Sequence, residues 1–451
     1  MQSTSAIGDA TPAPDDFPDA EAILDRSPIT SGQWLVIVLC ALLSMLDGFD
    51  TQSIAFAAPE IRREWGMTAA ALGPIFSAGL LGGVLGGFFI GPLSDRVGPK
   101  RIVILSTLVF AFGTLATVLT KDILALAALR AVTGVGLGAA IPAIVAILAA
   151  YSPARVRALF VTSAFSIQLL GAVVGSMASA RLMEHYGWQA VFILGGALPL
   201  ILLPIIAARV PEPLTILAAR GRTDQIERAL RLIGRAGQVM RIGARPDAPD
   251  VRNSAAALFR DGRATATILL MSTSMIGGVF FYFLANWLPS ILRDSGHNLQ
   301  DAIHGSTALN AGGLIGTLVF ARLIDRYGPY GMMTLGYLGG GALTMAVAFG
   351  GGPINQILAL IFVAGLFGIG AQFSVPAAVV RLYPPELRGA GIGFALGFTR
   401  IGAMVGPLFG SYILLQGGGP RELYVFAGVC AFGAAVCIFG ARLWEGRRRL
   451  A

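Results

Sequence analysis

Asp47 and Asp50 stand three residues apart in the stretch SMLDGFDTQ, inside an apolar run that begins near Trp34. The i, i+3 spacing puts both carboxylates on one face of a helix. Gly48 between them lets another backbone or a ligand come close. An ionisable side chain at bilayer depth costs about 2.5–3.5 kcal/mol on insertion scales, so residues that incur this cost are candidates for function. Two neighbouring carboxylates in a poorly solvated place cannot both ionise cheaply, so the pair is expected to hold and exchange a proton. The competing reading is that both acids form fixed ion pairs that only hold helices together.

Two arginines share this apolar setting. Arg130 begins a helix face continued by Gly134 and Gly138, against which the first span could pack while the guanidinium reaches inward. It could pair with Asp47 or Asp50 and be released when they protonate, or it could snorkel to the outer interface. Arg400 lies about halfway along its own apolar run, and its forked donors suit a carboxylate ligand, with a structural ion pair as the alternative. Phe49, Phe56, Phe280, Phe281, Tyr282, Phe283 and Trp287 are candidate apolar walls for an aromatic ring, Trp287 belonging rather to an outer interfacial belt. Asn286 and Pro289 mark an expected helix break near that belt.

The elements that must position these residues are membrane helices. Of the residues, 55% are hydrophobic and 13% are charged. Apolar stretches of about 20 residues, the length of one crossing, begin near Gln33, Ala71, Ile102, Ile123, Val156, Trp188, Ala264, Ile303, Gly331, Ile354, Arg388 and Arg421. The expected fold is therefore an all-α membrane protein of twelve transmembrane helices. The 59 glycines fit bundles whose backbones approach closely. Residues 1–30 read as a disordered tail with no cleavable signal peptide, 31–208 as a first six-helix half, 209–263 as a central polar loop, 264–443 as a second half, and 444–451 as a basic tail. Within the loop, TDQIERALRLIG carries Ile226, Leu230 and Ile233 at helical spacing with Asp224 and Glu227 in capping-box positions, predicting a short amphipathic surface helix.

The net charge of +8 is accounted for by topology rather than by nucleic acid. Eleven arginines fall between Arg209 and Arg263, and most other basic residues fall in connections on the same side, which the positive-inside rule makes cytoplasmic together with both termini. Cys40, Cys430 and Cys437 lie in apolar spans and His185, His297 and His304 in outer loops, so no disulfide framework or metal site is expected. GVGLGAA follows no strand and is not a nucleotide loop. The lack of any G-x-x-x-x-G-K-S/T removes ATP as the energy source.

The halves echo one another. GPLSDRVGP (Gly91 to Pro99) corresponds to ARLIDRYGP (Ala321 to Pro329), aligning Asp95 and Arg96 with Asp325 and Arg326. A constant offset of 232 residues pairs Gly136 with Gly368, Tyr151 with Tyr383, and Gln168 with Arg400. Gln168 could thus add a neutral hydrogen bond opposite the arginine, or serve as a helix–helix contact. Two pseudo-symmetric six-helix halves place a substrate site at their interface near the bilayer midplane.

On these residues the chain resembles the major facilitator superfamily from about Gln33 to Leu443. GPLSDRVGPKR is similar to its G-x-L-x-D-R-x-G-x-R-R loop and RAVTGVGLGAA to its R-x-x-x-G-x-G-x-G helix. LDGFDTQSIAFAAPEI, ANWLPSIL and GFTRIGAMVGP resemble the aromatic acid:proton symporters within it. The resemblance implies that the acidic pair is needed for transport and that Arg130 serves the proton-linked step. The Asp95–Arg96 and Asp325–Arg326 loops read as latches that form and break between conformations, or only as determinants of loop shape. IPAIVAILAAYSP departs from the family in carrying Ala143 and Ala150 where many relatives have polar groups, which points to a bulkier or less hydroxylated acid.

The expected protein is not an enzyme. It is a proton-driven symporter, without a cofactor, that imports a small aromatic carboxylate such as a hydroxybenzoate across a bacterial inner membrane as a monomer. Proton coupling is assigned to Asp47, Asp50 and Arg130, substrate binding to Arg400, Gln168, Phe49, Tyr282 and Asn286, and gating to Asp95, Arg96, Asp325 and Arg326. The rivals are a drug:proton antiporter of the same fold, although the fifth span has no Gly-Pro pair, and a transporter-like receptor that moves nothing.

Overall fold

A computed structural model describes residues 28–91, 93–234 and 256–450. Most of the N-terminal tail, much of the central loop and the last residue lie outside the described residues. Twelve helices are long and apolar enough to cross a membrane. In chain order they are α1 (Ser31–Trp65), α2 (Leu72–Leu85), α3 (Pro99–Thr117), α4 (Ile123–Tyr151), α5 (Ala154–Tyr186), α6 (Gln189–Arg209), α7 (Ala264–Asp294), α8 (Leu299–Tyr327), α9 (Pro329–Gly350), α10 (Ile354–Gln372), α11 (Pro385–Leu415) and α12 (Pro420–Leu450). α2 runs on through a π-helical turn, Gly86–Ile90, and α10 is followed by a shorter helix, Val375–Leu382. Every helix start matches its apolar run to within a few residues.

Local chemistry sets the boundaries. Thr30 and Gln33 form a capping box at the start of α1, and Gly66 ends the helix in the left-handed region at φ 62°. Asp122 caps α4 by accepting from the Ala125 N–H at 2.8 Å, and Asn298 does the same for Asp301 in α8. Such caps satisfy helix-end donors that the bilayer interface serves poorly.

Glycine sets how closely the helices pack. A Cβ on Gly134 would lie 2.0 Å from the Gly79 carbonyl oxygen, and one on Gly138 would lie 2.0 Å from that of Gly83, so α4 rests directly on α2. Gly48 meets the Gln168 backbone in the same way, joining α1 to α5. In the second half, Gly312 and Gly316 of α8 meet the backbone of α10 at Phe362 and Leu366. In a membrane, where the hydrophobic effect does not drive helices together, this close approach supplies the packing energy.

The two halves join through α1 with α7, α2 with α11, and α5 with α8. One end of the bundle carries the start of α1 and the polar connection after α6, and is called here the basic end. At the far end the halves are tied together. Arg62 donates to Asp294, Gln300 to Glu184, and Ser411 to the Ala70 carbonyl. Deeper in, the amides of Gln52 and Asn310 exchange hydrogen bonds at 2.9 and 3.0 Å. Phe76 meets Trp287 edge-on at 5.5 Å.

Several expectations are corrected. Trp287 belongs to no outer belt: it is 1% exposed and donates to the Pro407 carbonyl at 3.2 Å, because Gly410 leaves room for its ring. α7 passes Asn286 and Pro289 without a break. The Asn286 amide bonds the Tyr282 carbonyl at 2.7 Å, and Pro289 is accommodated within the helix. The helix Thr223–Leu232 forms as the pattern predicts, but its N-cap is Arg222 with no side-chain cap, so Asp224 and Glu227 make no capping box. Its buried face, Ala229 and Leu230, packs with Leu214 and Leu217 onto the protein rather than onto a lipid surface. The basic tail after Gly446 is a continuation of α12.

Replacing Gly134 by Ala should cost about 1–3 kcal/mol through overpacking of α4 on α2, whereas Gly397→Ala, with nothing within 4 Å of an added Cβ, should not destabilise. Thermal unfolding of the two purified variants distinguishes them; equal melting temperatures would contradict the packing described.

Candidate functional site

α1 delivers both acids to the interior. Asp47 and Asp50 are each 1% exposed, one turn apart, and each needs donors from neighbouring spans. The close α1–α5 approach at Gly48 brings Gln168 to Asp47, and its amide donates to Oδ1. Asp47 Oδ2 is buried with no hydrogen-bond partner.

Asp50 is served by α3 and α4. Thr114 donates to its Oδ1 at 2.7 Å, and the Arg130 guanidinium stands 3.8 Å from Oδ2. Arg130 is 3% exposed and therefore does not snorkel. Three hydroxyls surround its Nη2, Thr117 at 2.8 Å, Thr133 at 3.3 Å and Thr114 at 3.4 Å, and the Phe192 ring lies 5.1 Å from its carbon. Of the two acids left open as its partner, Arg130 takes Asp50. Thr114 therefore bridges cation and anion, and the pair is a loose ion pair held by hydroxyls rather than a bidentate one.

Arg400 enters from the other half. Its Nη1 donates to the Gly83 carbonyl at 2.9 Å, and a Cβ on Gly87 would strike that nitrogen. A guanidinium has five N–H donors, and one is committed to α2. Asp47, Asp50, Arg130, Gln168, Tyr282, Asn286 and Arg400 all line one cavity of about 110 Å³ between the halves. Its wall on the α2 side is the bare backbone of Gly79 and Gly83, one turn apart, where an added Cβ would make only ordinary contacts.

Phe49, expected to bind substrate, does not line this cavity. Its ring packs on Gly175 of α5, on the side of α1 turned away from the opening. Phe56, Phe280, Phe281, Phe283 and Trp287 are core residues, leaving Tyr282 with Phe76 as the aromatic surface of the cavity. Arg96, Asp325 and Arg326 are exposed at the basic end, remote from the cavity lining. The segment carrying Asp95 begins a short helix, Leu93–Val97.

Other polar groups escaped the sequence reading. Thr114 and Thr117 lie one turn apart in an apolar span, a pattern that could have flagged them. Gln52 and Asn310 likewise stand out as amides in apolar runs. Behind Arg400, Tyr337 donates to Gln372 at 2.6 Å, and Gln372 donates to Thr399 at 3.1 Å. No local signal connects residues so far apart in the chain. Among the described residues no group of three or more His, Cys, Asp or Glu side chains gathers to hold a metal ion.

Twelve spans in two halves around a buried charged cavity define a secondary transporter. The chain belongs to the Major Facilitator Superfamily, whose family model matches residues 40–375 and 306–449. It is 34% identical over 400 residues to the 4-hydroxybenzoate transporter PcaK of Pseudomonas aeruginosa, covering 88% of this chain and 89% of that one. It is 34% identical over 434 residues to a gallate transporter of Pseudomonas putida, covering 96% of each. Among solved structures, the xylose transporter XylE from E. coli matches with a TM-score of 0.68 at 17% identity, over 91% of this chain and 98% of that one. A bacterial homolog of the human lysosomal transporter Spinster matches with a TM-score of 0.70 at 17% identity, over 90% of this chain and 96% of that one. The family and these relatives are transporters, not enzymes.

Thr117→Val should leave the Arg130 guanidinium short of an acceptor and cost about 1–3 kcal/mol, read as a lower melting temperature of the purified protein. An unchanged melting temperature would mean that the Arg130 cage is not structural.

Proposed function

We propose that this protein is a proton-coupled symporter that imports a small aromatic carboxylic acid by alternating access. The observation that carries the reading is the convergence of two buried carboxylates from one half and a guanidinium from the other on a single cavity. The names of the relatives supply the cargo class, since 4-hydroxybenzoate and gallate are both aromatic acids.

The cargo's carboxylate binds Arg400 through donors not used on Gly83, and its ring lies flat against the Gly79–Gly83 backbone with Tyr282 nearby. The proton resides on the acidic pair. Asp47 has only a neutral amide as partner, so its charge is the less compensated. Asp50 releases Arg130 to its threonine cage when the shared proton arrives. With cargo charge and acid charge both neutralised, the barrier to rocking the halves falls.

The chain is a monomer in a bacterial inner membrane, with the basic end in the cytoplasm. On that orientation the far-end ties among Arg62, Asp294, Gln52 and Asn310 make this the inward-facing form. The Asp95–Arg96 and Asp325–Arg326 segments close the basic end when the far end opens. A drug:proton antiporter is the weaker reading, because the fifth span carries no Gly-Pro pair and the relatives are named for aromatic acids.

Uptake of labelled 4-hydroxybenzoate and benzoate into proteoliposomes, with and without an inward proton gradient, tests the proposal. Accumulation should require the gradient, and Asp50→Asn should abolish it while leaving the protein in the membrane. Accumulation indifferent to the gradient would refute symport. Gly79→Ala should fold normally yet lower uptake of both acids about tenfold, the effect one methyl group has in a close-fitting site; unchanged uptake of both would remove the ring from the glycine wall.

A further inference from the structure

A second and larger cavity lies at the basic end of the first half, away from the transport site. Its volume is about 290 Å³. Lys100 and Arg101 from the first turn of α3, and Arg220 and Arg228 from the connection after α6, line it together with Glu212 and Gln225. Among the described residues none of the four cations lies within ion-pair distance of a carboxylate, so the cavity holds a surplus of positive charge facing one acid.

The walls are built rather than loose. Lys100 donates to the Ala207 carbonyl at 2.7 Å, tying α3 to α6. Arg220 donates to the Arg96 carbonyl, and the Tyr151 hydroxyl donates to the Glu212 carbonyl. Gly98 has its backbone at φ 104°, and the Glu212 carboxylate sits where a Cβ on it would be, 1.9 Å from Oε1. That Oε1 is buried without a hydrogen-bond partner. Lys100 and Arg220 are fixed by these bonds, Arg101 and Arg228 are exposed side chains of the lining, and the acid keeps one oxygen without a partner.

We propose that this cavity binds a phosphate group, with Arg101 and Arg228 as forked donors and Lys100 and Arg220 as flanking charges. Arginine forks match tetrahedral oxyanions, and a dianion offsets the surplus that one carboxylate leaves. Burial holds the Glu212 carboxyl above its usual range despite the opposing pull of Arg220, Arg101 and Lys100. The phosphate could be a phospholipid headgroup or a soluble phosphate. Ile104 of α3 lines the cavity and the exposed Leu105 follows it in the same helix. An anion bound there would cross-link the α2–α3 loop to the segment after α6.

The full chain reconstituted in phosphatidylcholine nanodiscs tests the site. Thermal unfolding is measured with phosphatidylglycerol added to the discs, and separately with inorganic phosphate in the buffer. The melting temperature should rise with at least one probe: a rise with lipid alone assigns a headgroup, and one with inorganic phosphate assigns a soluble ligand. In Arg101→Gln/Arg228→Gln the concentration giving half the rise should increase at least about tenfold through lost charge-assisted bonds. Arg322→Gln/Arg388→Gln, which removes two charges from the same end of the other half, should leave it unchanged. No rise with either probe, or equal losses in the two double variants, would overturn the proposal, the latter by reducing it to general surface charge. Because transport is not the readout, failure here leaves the symport reading intact.

Discussion

Two carboxylates one turn apart in α1, each buried to 1% exposure, impose the main constraint on this bundle. Charge in a low-dielectric interior is tolerated only where partners surround it, and no single helix can supply them. Asp47 draws its donor from α5, and Asp50 draws Thr114 from α3 and Arg130 from α4. Each partner must reach within hydrogen-bonding distance, which requires backbones closer than ordinary side chains allow. Gly48 provides that approach toward α5, while Gly134 and Gly138 seat α4, the helix that carries Arg130, on α2.

The internal repeat gains its meaning from being broken. Gln168 and Arg400 occupy equivalent places in the two halves and face the same cavity. One is a neutral amide that bonds a carboxylate without cancelling its charge. The other is a fixed cation that reaches across the interface to a glycine carbonyl of α2. On the proposed reading the first half holds the titratable groups and the second the anion receptor, so that cargo and proton meet at the interface between them.

Closure at the far end depends on neutral and charged pairs of differing reach. The reciprocal Gln52–Asn310 amides are buried, whereas Arg62–Asp294 is partly exposed and contributes little by itself. A latch made of several modest bonds is suited to repeated opening. At the opposite end four cationic side chains, Lys100, Arg101, Arg220 and Arg228, line one cavity.

Composition and periodicity by themselves determined the number of spans, their approximate starts, the division into halves and the short list of intramembrane charges, because insertion cost makes every buried Asp or Arg conspicuous. The fixed offset between repeats also set Gln168 opposite Arg400, while the structure alone brought the acidic pair to them. Only the tertiary structure chose Asp50 over Asp47 as the partner of Arg130, assembled the threonine cage, withdrew Phe49 and Trp287 into the core, and kept α7 continuous past Asn286. The reason is physical. Hydrophobicity and charge cost belong to a residue and its neighbours in sequence, whereas a hydrogen-bond partner or the direction of an aromatic ring depends on which helix face meets which. In this chain glycines decide many of those meetings, and their effect is legible only once the two surfaces are brought together.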